Sequence, residues 1–297
     1  MKLFEERSLY GEHAQVLSVD AVLHEARSRY QDVLVFRNAT FGKVLALDGI
    51  VQLTEADHHI YHEMLVHVPL LAHGAAIDVL ILGGGDGGAL REVLKHPVRR
   101  VVLVEIDPEV IAVSQRHFAD VSGGAFNDPR VEVLNEDAAG YVGACADRFD
   151  VIIVDSTDPI GPGEVLFSDA FYQRCRTLLR PSGLMSLQSG APFFQPDVLQ
   201  RVRSRVAKHL GAAREFLAPV PTYARGLLPL ILAGAFEPSF CPSVSVLRAR
   251  AMRINGPTRF YSAEVHLAAF ALAPRLAPPG SDGRHAAPLS ENSEAST

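Results

Sequence analysis

The sequence predicts an α/β protein in which a doubly wound parallel sheet follows a small N-terminal antiparallel β domain. Three observations carry this. From Ile77 onward, short apolar runs alternate with segments of helical period, as strands covered on both faces require. A run of glycines follows the first of those strands and opens a helix. Upstream, between His13 and Leu53, apolar and polar residues alternate instead, the period of half-buried strands.

The N-terminal runs are Ala14–Val19, Val33–Phe36 and Lys43–Leu47, and Asn38 and Asp48-Gly49 supply turn chemistry. Around Ala56 to Leu71 the period lengthens towards helical. Beyond it, strands are expected at Ile77–Leu82, Arg100–Ile106, Val131–Asn135, Phe149–Asp155 and Gly183–Gln188. Helices are expected at Ala89–Lys95, Pro108–Phe118, Asp169–Leu179 and Pro196–Leu210. The stretch from about Pro278 to Thr297 is rich in Pro, Gly, Ser and Ala without periodicity and reads as a disordered tail. The expected division is therefore 1–56 for the β domain, 57–277 for the larger domain and 278–297 for the tail.

Composition narrows the function. With 48% hydrophobic and 21% charged residues the chain reads as globular, and no apolar run approaches the length of a membrane span. The opening Met-Lys-Leu-Phe-Glu-Glu-Arg lacks the apolar segment of a signal peptide, so a cytoplasmic location is expected. Three widely spaced cysteines, Cys145, Cys175 and Cys241, indicate neither a disulfide framework nor a zinc site. A net charge of −6 with no Lys/Arg-rich block argues against nucleic acid and suits a cationic substrate.

The strongest local signal is Gly83-Gly-Gly-Asp86-Gly-Gly88 between a buried strand and a helix. Glycines there let the backbone approach a ligand where a helix N-terminus presents free N–H groups. Gly83, Gly85 and Gly88 also satisfy GxGxxG, a motif that nicotinamide dehydrogenases share. The next strand ends in Glu105, placed to accept hydrogen bonds from ribose hydroxyls. The third runs into Asp137, which fits an adenine amino group and the S-adenosyl class, or else caps the following helix. The fourth ends in Asp155-Ser-Thr-Asp158, followed by a Pro/Gly-rich run suited to a covering loop. Asp86, Glu105, Asp137, Asp155 and Asp158 would thus converge on one crevice of a Rossmann-like, methyltransferase-like sheet. Mutual repulsion makes that costly unless cations occupy it.

Several stretches resemble, in order and spacing, the spermidine synthases. They are Leu47-Asp-Gly-Ile-Val-Gln-Leu-Thr-Glu55, Ile60-Tyr-His-Glu-Met64, the glycine run, Val104-Glu-Ile-Asp107, Asp155-Ser-Thr-Asp-Pro-Ile-Gly-Pro-Gly163 and Pro221-Thr-Tyr223. The likeness runs from about Glu5 to Leu276. It implies transfer of an aminopropyl group from decarboxylated S-adenosylmethionine, a co-substrate, to a small diamine. It also implies no metal or redox cofactor, and homodimers or homotetramers. By position, the resemblance makes Asp155 the proton acceptor, Asp158 the partner of the diamine ammonium and Asp86 that of the donor's aminopropyl nitrogen. Glu105 would bind the ribose, Asp137 with the backbone at Ala138 the adenine, and Gln31 and Pro162 the nucleoside part. Tyr61, His62 and Tyr223 would line the diamine channel, with Gln52 nearby. The chain departs from the family at Ala138, commonly glycine, and within Ala224-Arg-Gly-Leu-Leu-Pro-Leu230, a segment that bears on acceptor preference.

Other residues invite plainer readings. His58 and His62 stand one helical turn apart beside Glu63, but the order is wrong for HExxH and no third ligand presents itself. Tyr61 and His62 serve equally well as packing residues between domains. Cys175 on an amphipathic helix reads as a small buried hydrophobe. Two other functions remain open from sequence: a methyltransferase using intact S-adenosylmethionine, and a polyamine-binding regulator without catalysis.

Overall fold

The computed structural model describes residues 2–7, 13–156, 161–190, 194–223 and 226–273. The expected tail at 278–297 lies outside them. The chain opens with an antiparallel ribbon of β1 (Lys2–Glu6) and β2 (Gln15–Val19). It continues into a four-stranded antiparallel meander of β3 (Ala21–Arg27), β4 (Asp32–Asn38), β5 (Gly42–Leu47) and β6 (Ile50–Thr54). The period-two pattern sends alternate side chains to opposite faces, and here both faces are covered. Val33, Val35, Leu45, Leu47 and Leu53 pack with Val110, Val113 and Phe118 of the following domain. Phe36, Val44, Ala46 and Val51 pack with Phe4 and Leu17 of the ribbon. Asp48 and Gly49 both take positive φ, 48° and 75°, the requirement of a tight type I′ hairpin between β5 and β6. The N-terminal β structure is thus two sheets rather than one. Strand β3 escapes the sequence pattern because its residues are polar or half-exposed, with no clean alternation to detect.

The larger domain begins with α1 (His58–His73), then β7 (Asp78–Gly83), α2 (Gly88–Leu94), β8 (Arg100–Val104), α3 (Pro108–His117) and α4 (Ala119–Ser122). Next come β9 (Val131–Leu134), α5 (Ala138–Ala144), β10 (Phe149–Asp155), α6 (Asp169–Leu178), β11 (Leu179–Gln188) and α7 (Pro196–Leu210). Strands β12 (Ala212–Ala218) and β13 (Leu228–Gly234) and helices α8 (Val244–Ala251) and α9 (Ala263–Leu272) complete the described chain. The sheet order is β12-β13-β11-β10-β7-β8-β9. Five of these strands, β11 to β9 in that order, run parallel, while β13 pairs antiparallel with both β11 and β12. The expected parallel sheet therefore carries an antiparallel edge, made by strands that the sequence pattern did not separate from loop.

Helices cover both faces. Met64, Leu65, Leu90, Phe216 and Phe270 fill one side, and Phe171, Tyr172, Leu178, Val202 and Val206 the other. From β7 the chain proceeds outward to β8 and β9, then crosses to β10 and β11 on the opposite side. The order reverses between β7 and β10, and their paired carboxyl ends are Gly83 and Asp155. Open α/β sheets bind ligands at this switch point.

Candidate active site

A cleft of about 210 Å³ opens at the switch point, and both domains line it. Its floor depends on the glycine run. Gly83 and Gly84 take φ of 85° and 76°, and the Gly84 N–H donates to the Asp155 carbonyl at 2.8 Å. A Cβ on Gly84 would come within 2.9 Å of Asp155 Oδ2, so glycine lets the loop and the strand-end carboxylate share one place.

Asp155 sits at the centre. Its Oδ1 accepts the Tyr61 hydroxyl at 2.6 Å, while its buried Oδ2 has no hydrogen-bond partner among the described residues. Burial first, and then the Asp86 carboxylate, push its carboxyl up to about 6, against the opposing pull of His62 and Tyr61. Asp86 behaves oppositely. Burial raises it, but His62 and the Gly88 N–H more than offset this and hold it below its ordinary value. The Gly88 N–H donates to Asp86 Oδ1 at 2.6 Å, and His62 Nε2 lies 3.4 Å from the same oxygen. His62, Asp86 and Asp155 bring one polar atom each to within 4.8 Å of one another.

Glu105 lies along the cleft beyond the glycines. Its Oε2 accepts from Gly85 N–H at 3.0 Å and its Oε1 from Asp107 N–H at 2.9 Å. Burial lifts it to about 7 despite those two donors. Asp107 caps α3 through Glu109 N–H and also takes the Ser28 hydroxyl at 2.6 Å and Gln31 Nε2 at 2.9 Å, which ties β-domain residues to the sheet edge. Asp137 accepts the Gly140 N–H at 2.7 Å, so it does cap α5, and it lines the cleft as well.

Residues 58–237 match the family model described as the spermine/spermidine synthase domain, and residues 2–55 match the spermidine synthase tetramerisation domain. The chain belongs to the spermidine synthase family. It is 47% identical over 271 residues to polyamine aminopropyltransferase 1 of Pseudomonas aeruginosa, covering 90% of this chain and 94% of that one. It is 44% identical to a polyamine aminopropyltransferase of Ruegeria sp., covering 91% and 96%. A crystal structure of spermidine synthase in complex with the transition-state analogue AdoDATO matches with a TM-score of 0.84 at 36% identity, over 91% of this chain and 92% of that one. The spermidine synthase of Thermotoga maritima matches with a TM-score of 0.83 at 35% identity, over 92% and 91%.

In this spermidine synthase family member the cleft lies where the two matched regions meet. Gln31, Gln52, Tyr61, Asp86, Glu105, Asp137, Ala138, Asp155 and Tyr223, all singled out from sequence, line it. Tyr223 donates its hydroxyl to the Gln52 carbonyl at 2.8 Å and sets its ring edge-on to Tyr61, 6.0 Å between centroids. His62 stands behind Asp86 and is 2% exposed. Asp158 lies outside the described residues, as does the Pro162 side chain. The sequence argument missed Gln188, which lines the cleft from the end of β11 and donates to the Ser156 carbonyl at 2.9 Å. Its strand-end position beside Asp155 was the available signal. It also missed Tyr30 and Ser189, which no motif marks. Among the described residues no helix is long and apolar enough to cross a membrane.

Proposed function

We propose that this protein transfers the aminopropyl group of decarboxylated S-adenosylmethionine to putrescine or a similar diamine, giving spermidine and methylthioadenosine. The observation that carries the reading is Asp155, a buried strand-end carboxylate raised to about 6 and set beside a second acid at the switch point. A group poised near neutral pH can accept a proton and lose it again between turnovers. Spermidine synthases at 36% identity share the fold across nine-tenths of the chain, which supports the same assignment.

In this reading Glu105 holds the ribose hydroxyls, Asp137 and the Ala138 backbone meet the adenine, and Gln31 closes the nucleoside end. Pro162 joins it there. Asp86 takes the aminopropyl ammonium. Tyr61, Tyr223 and Gln52 shape the diamine channel, and Asp158 receives the distal ammonium. A neutral amine nitrogen attacks the methylene next to the sulfonium. The C–N bond forms as the C–S bond breaks, and sulfur keeps the electron pair as a neutral thioether. The new secondary ammonium gives its proton to Asp155. Positioning supplies much of the rate, because the sulfonium is already an activated leaving group. The reaction as written uses no metal or redox cofactor.

The tetramerisation-domain match at residues 2–55 supports a homodimer or homotetramer. Three cysteines without a disulfide support a cytoplasmic enzyme. A methyltransferase would need to place the carboxylate of intact S-adenosylmethionine near Asp86, where like charges repel. Incubating the pure protein with decarboxylated donor and putrescine tests the reading. Spermidine and methylthioadenosine in equal amounts are expected, and Asp155→Asn should lower turnover by roughly a hundredfold or more while still binding methylthioadenosine. Absence of product with both substrates bound would refute it.

A further inference from the structure

His58, in the first turn of α1, faces His62 one turn on, with Nδ1 3.1 Å from Nδ1. On the far side of the His62 ring, Nε2 lies 3.4 Å from Asp86 Oδ1, an ion-pair distance without hydrogen-bond geometry. The ring has no room to shift toward α2, since a Cβ on Gly88 would overlap the imidazole. Two Nδ1 atoms can share only one proton, so one ring donates and the other accepts. A His62 ring that donates at Nδ1 to His58 and carries a second proton on Nε2 in an ion pair with Asp86 is an imidazolium, and His58 is then neutral with its proton on Nε2.

We propose that His58 is a positioning residue: by accepting the Nδ1 proton of His62 it keeps that ring doubly protonated against Asp86, a fixed cation beside Asp155. The surrounding charges agree. His62 is faced by Asp86 from the glycine loop, Asp155 from β10, Glu92 from α2, and His58 and His59 on its own helix. Burial alone would push the His62 ring down, but the carboxylates, Asp86 foremost, hold it above the ordinary histidine value. Glu63 takes no part, since it accepts the backbone N–H groups of Arg259, Phe260 and Tyr261. His58 is pushed down to about 3, first by burial and then by the charge of His62, with His59 and Arg259 adding to the effect against Asp86. Each ring takes the role that the bond requires.

This deepens the reading of Asp155 as proton acceptor and rests on it. A cation at His62 lowers the midpoint of Asp155; without it the carboxylate keeps its proton to higher pH. The test uses full-length protein labelled with ¹⁵N-histidine, the His62 signals being assigned by their loss in His62→Gln. In the native protein the His62 ring should be doubly protonated at pH 7. In His58→Leu its midpoint should fall by about one pH unit, the loss of one charge-assisted hydrogen bond. The acid limb of kcat/KM should move upward in the same variant. His58→Asn, whose Oδ1 replaces Nδ1 as acceptor, should restore both. A neutral His62 ring at pH 7 in the native protein, or an unmoved midpoint in His58→Leu, overturns the proposal. The ring is read without substrates, so a moved His62 midpoint with an unmoved acid limb overturns the role of Asp155 instead.

Discussion

The Tyr61 hydroxyl donates to Asp155 Oδ1 at 2.6 Å, so the carboxylate at the centre of the cleft is held by a residue that cannot ionise in the working pH range. Burial and the nearby Asp155 charge keep the phenol protonated far above its ordinary value. This bond favours the ionised form of Asp155. Tyr61→Phe should therefore raise the Asp155 midpoint by about one pH unit and lower kcat/KM at neutral pH several-fold. An unchanged pH–rate profile in Tyr61→Phe would assign the tyrosine to packing alone.

The pH dependence of the native enzyme follows with a definite sign. In the proposed role Asp155 must be ionised to accept a proton, and its carboxyl lies at about 6. At saturating amine, kcat/KM for the nucleoside donor should fall about tenfold per pH unit below that value. A profile that stays flat down to pH 5 contradicts a raised carboxylate acting as base.

Asp86 separates the two S-adenosyl chemistries. Asp86→Asn turns a charge-assisted hydrogen bond to the donor ammonium into a neutral one, with an expected affinity loss of about 1.5–3 kcal/mol. Methylthioadenosine, which lacks the aminopropyl arm, should bind almost as before. Intact S-adenosylmethionine should bind as well or better, because its carboxylate no longer meets a like charge. Calorimetric titration of the three ligands decides it, and equal losses for all three mean that Asp86 only shapes the loop.

Asp57 joins the β domain to the turn that carries Tyr223. It is 6% exposed, its Oδ1 accepts the Thr54 hydroxyl at 2.6 Å, and its Oδ2 accepts the N–H and hydroxyl of Thr222. Asp57→Ala strands those donors in a dry place and should cost about 3 kcal/mol in urea unfolding, with Asp57→Asn costing less. A loss under about 0.5 kcal/mol in the alanine variant would show that water replaces the carboxylate there.

Much of the site was legible because strand-end positions follow from the sheet itself. Once the strand at Phe149–Asp155 is recognised by its apolar run, Asp155 must emerge at the carboxyl edge, and the same logic places Glu105 and Asp137. The hydrogen bond between His58 and His62 was hidden, although their one-turn spacing was plain. Spacing shows that two rings can meet, but only the fold brings Asp86 and Gly88 against the second ring to fix its charge. Strands β12 and β13 were illegible for another reason. Antiparallel strands at one end of a sheet carry the same apolar content as loop-flanked helix segments, and the pairing of Leu184 to Gln188 with Leu230 to Gly234 is a long-range choice.

The cleft takes Gln31 and Gln52 from the N-terminal β structure and Asp86, Glu105 and Asp155 from the carboxyl edge of the large sheet and the loops that leave it. A bound ligand is therefore a clamp across two lobes. Its binding energy adds to the adhesion between them, by about 2.7 kcal/mol at a concentration a hundred times Kd. The N-terminal lobe consequently detaches less often in the occupied enzyme than in the empty one. A ligand held in the cleft should therefore slow proteolysis of the folded protein.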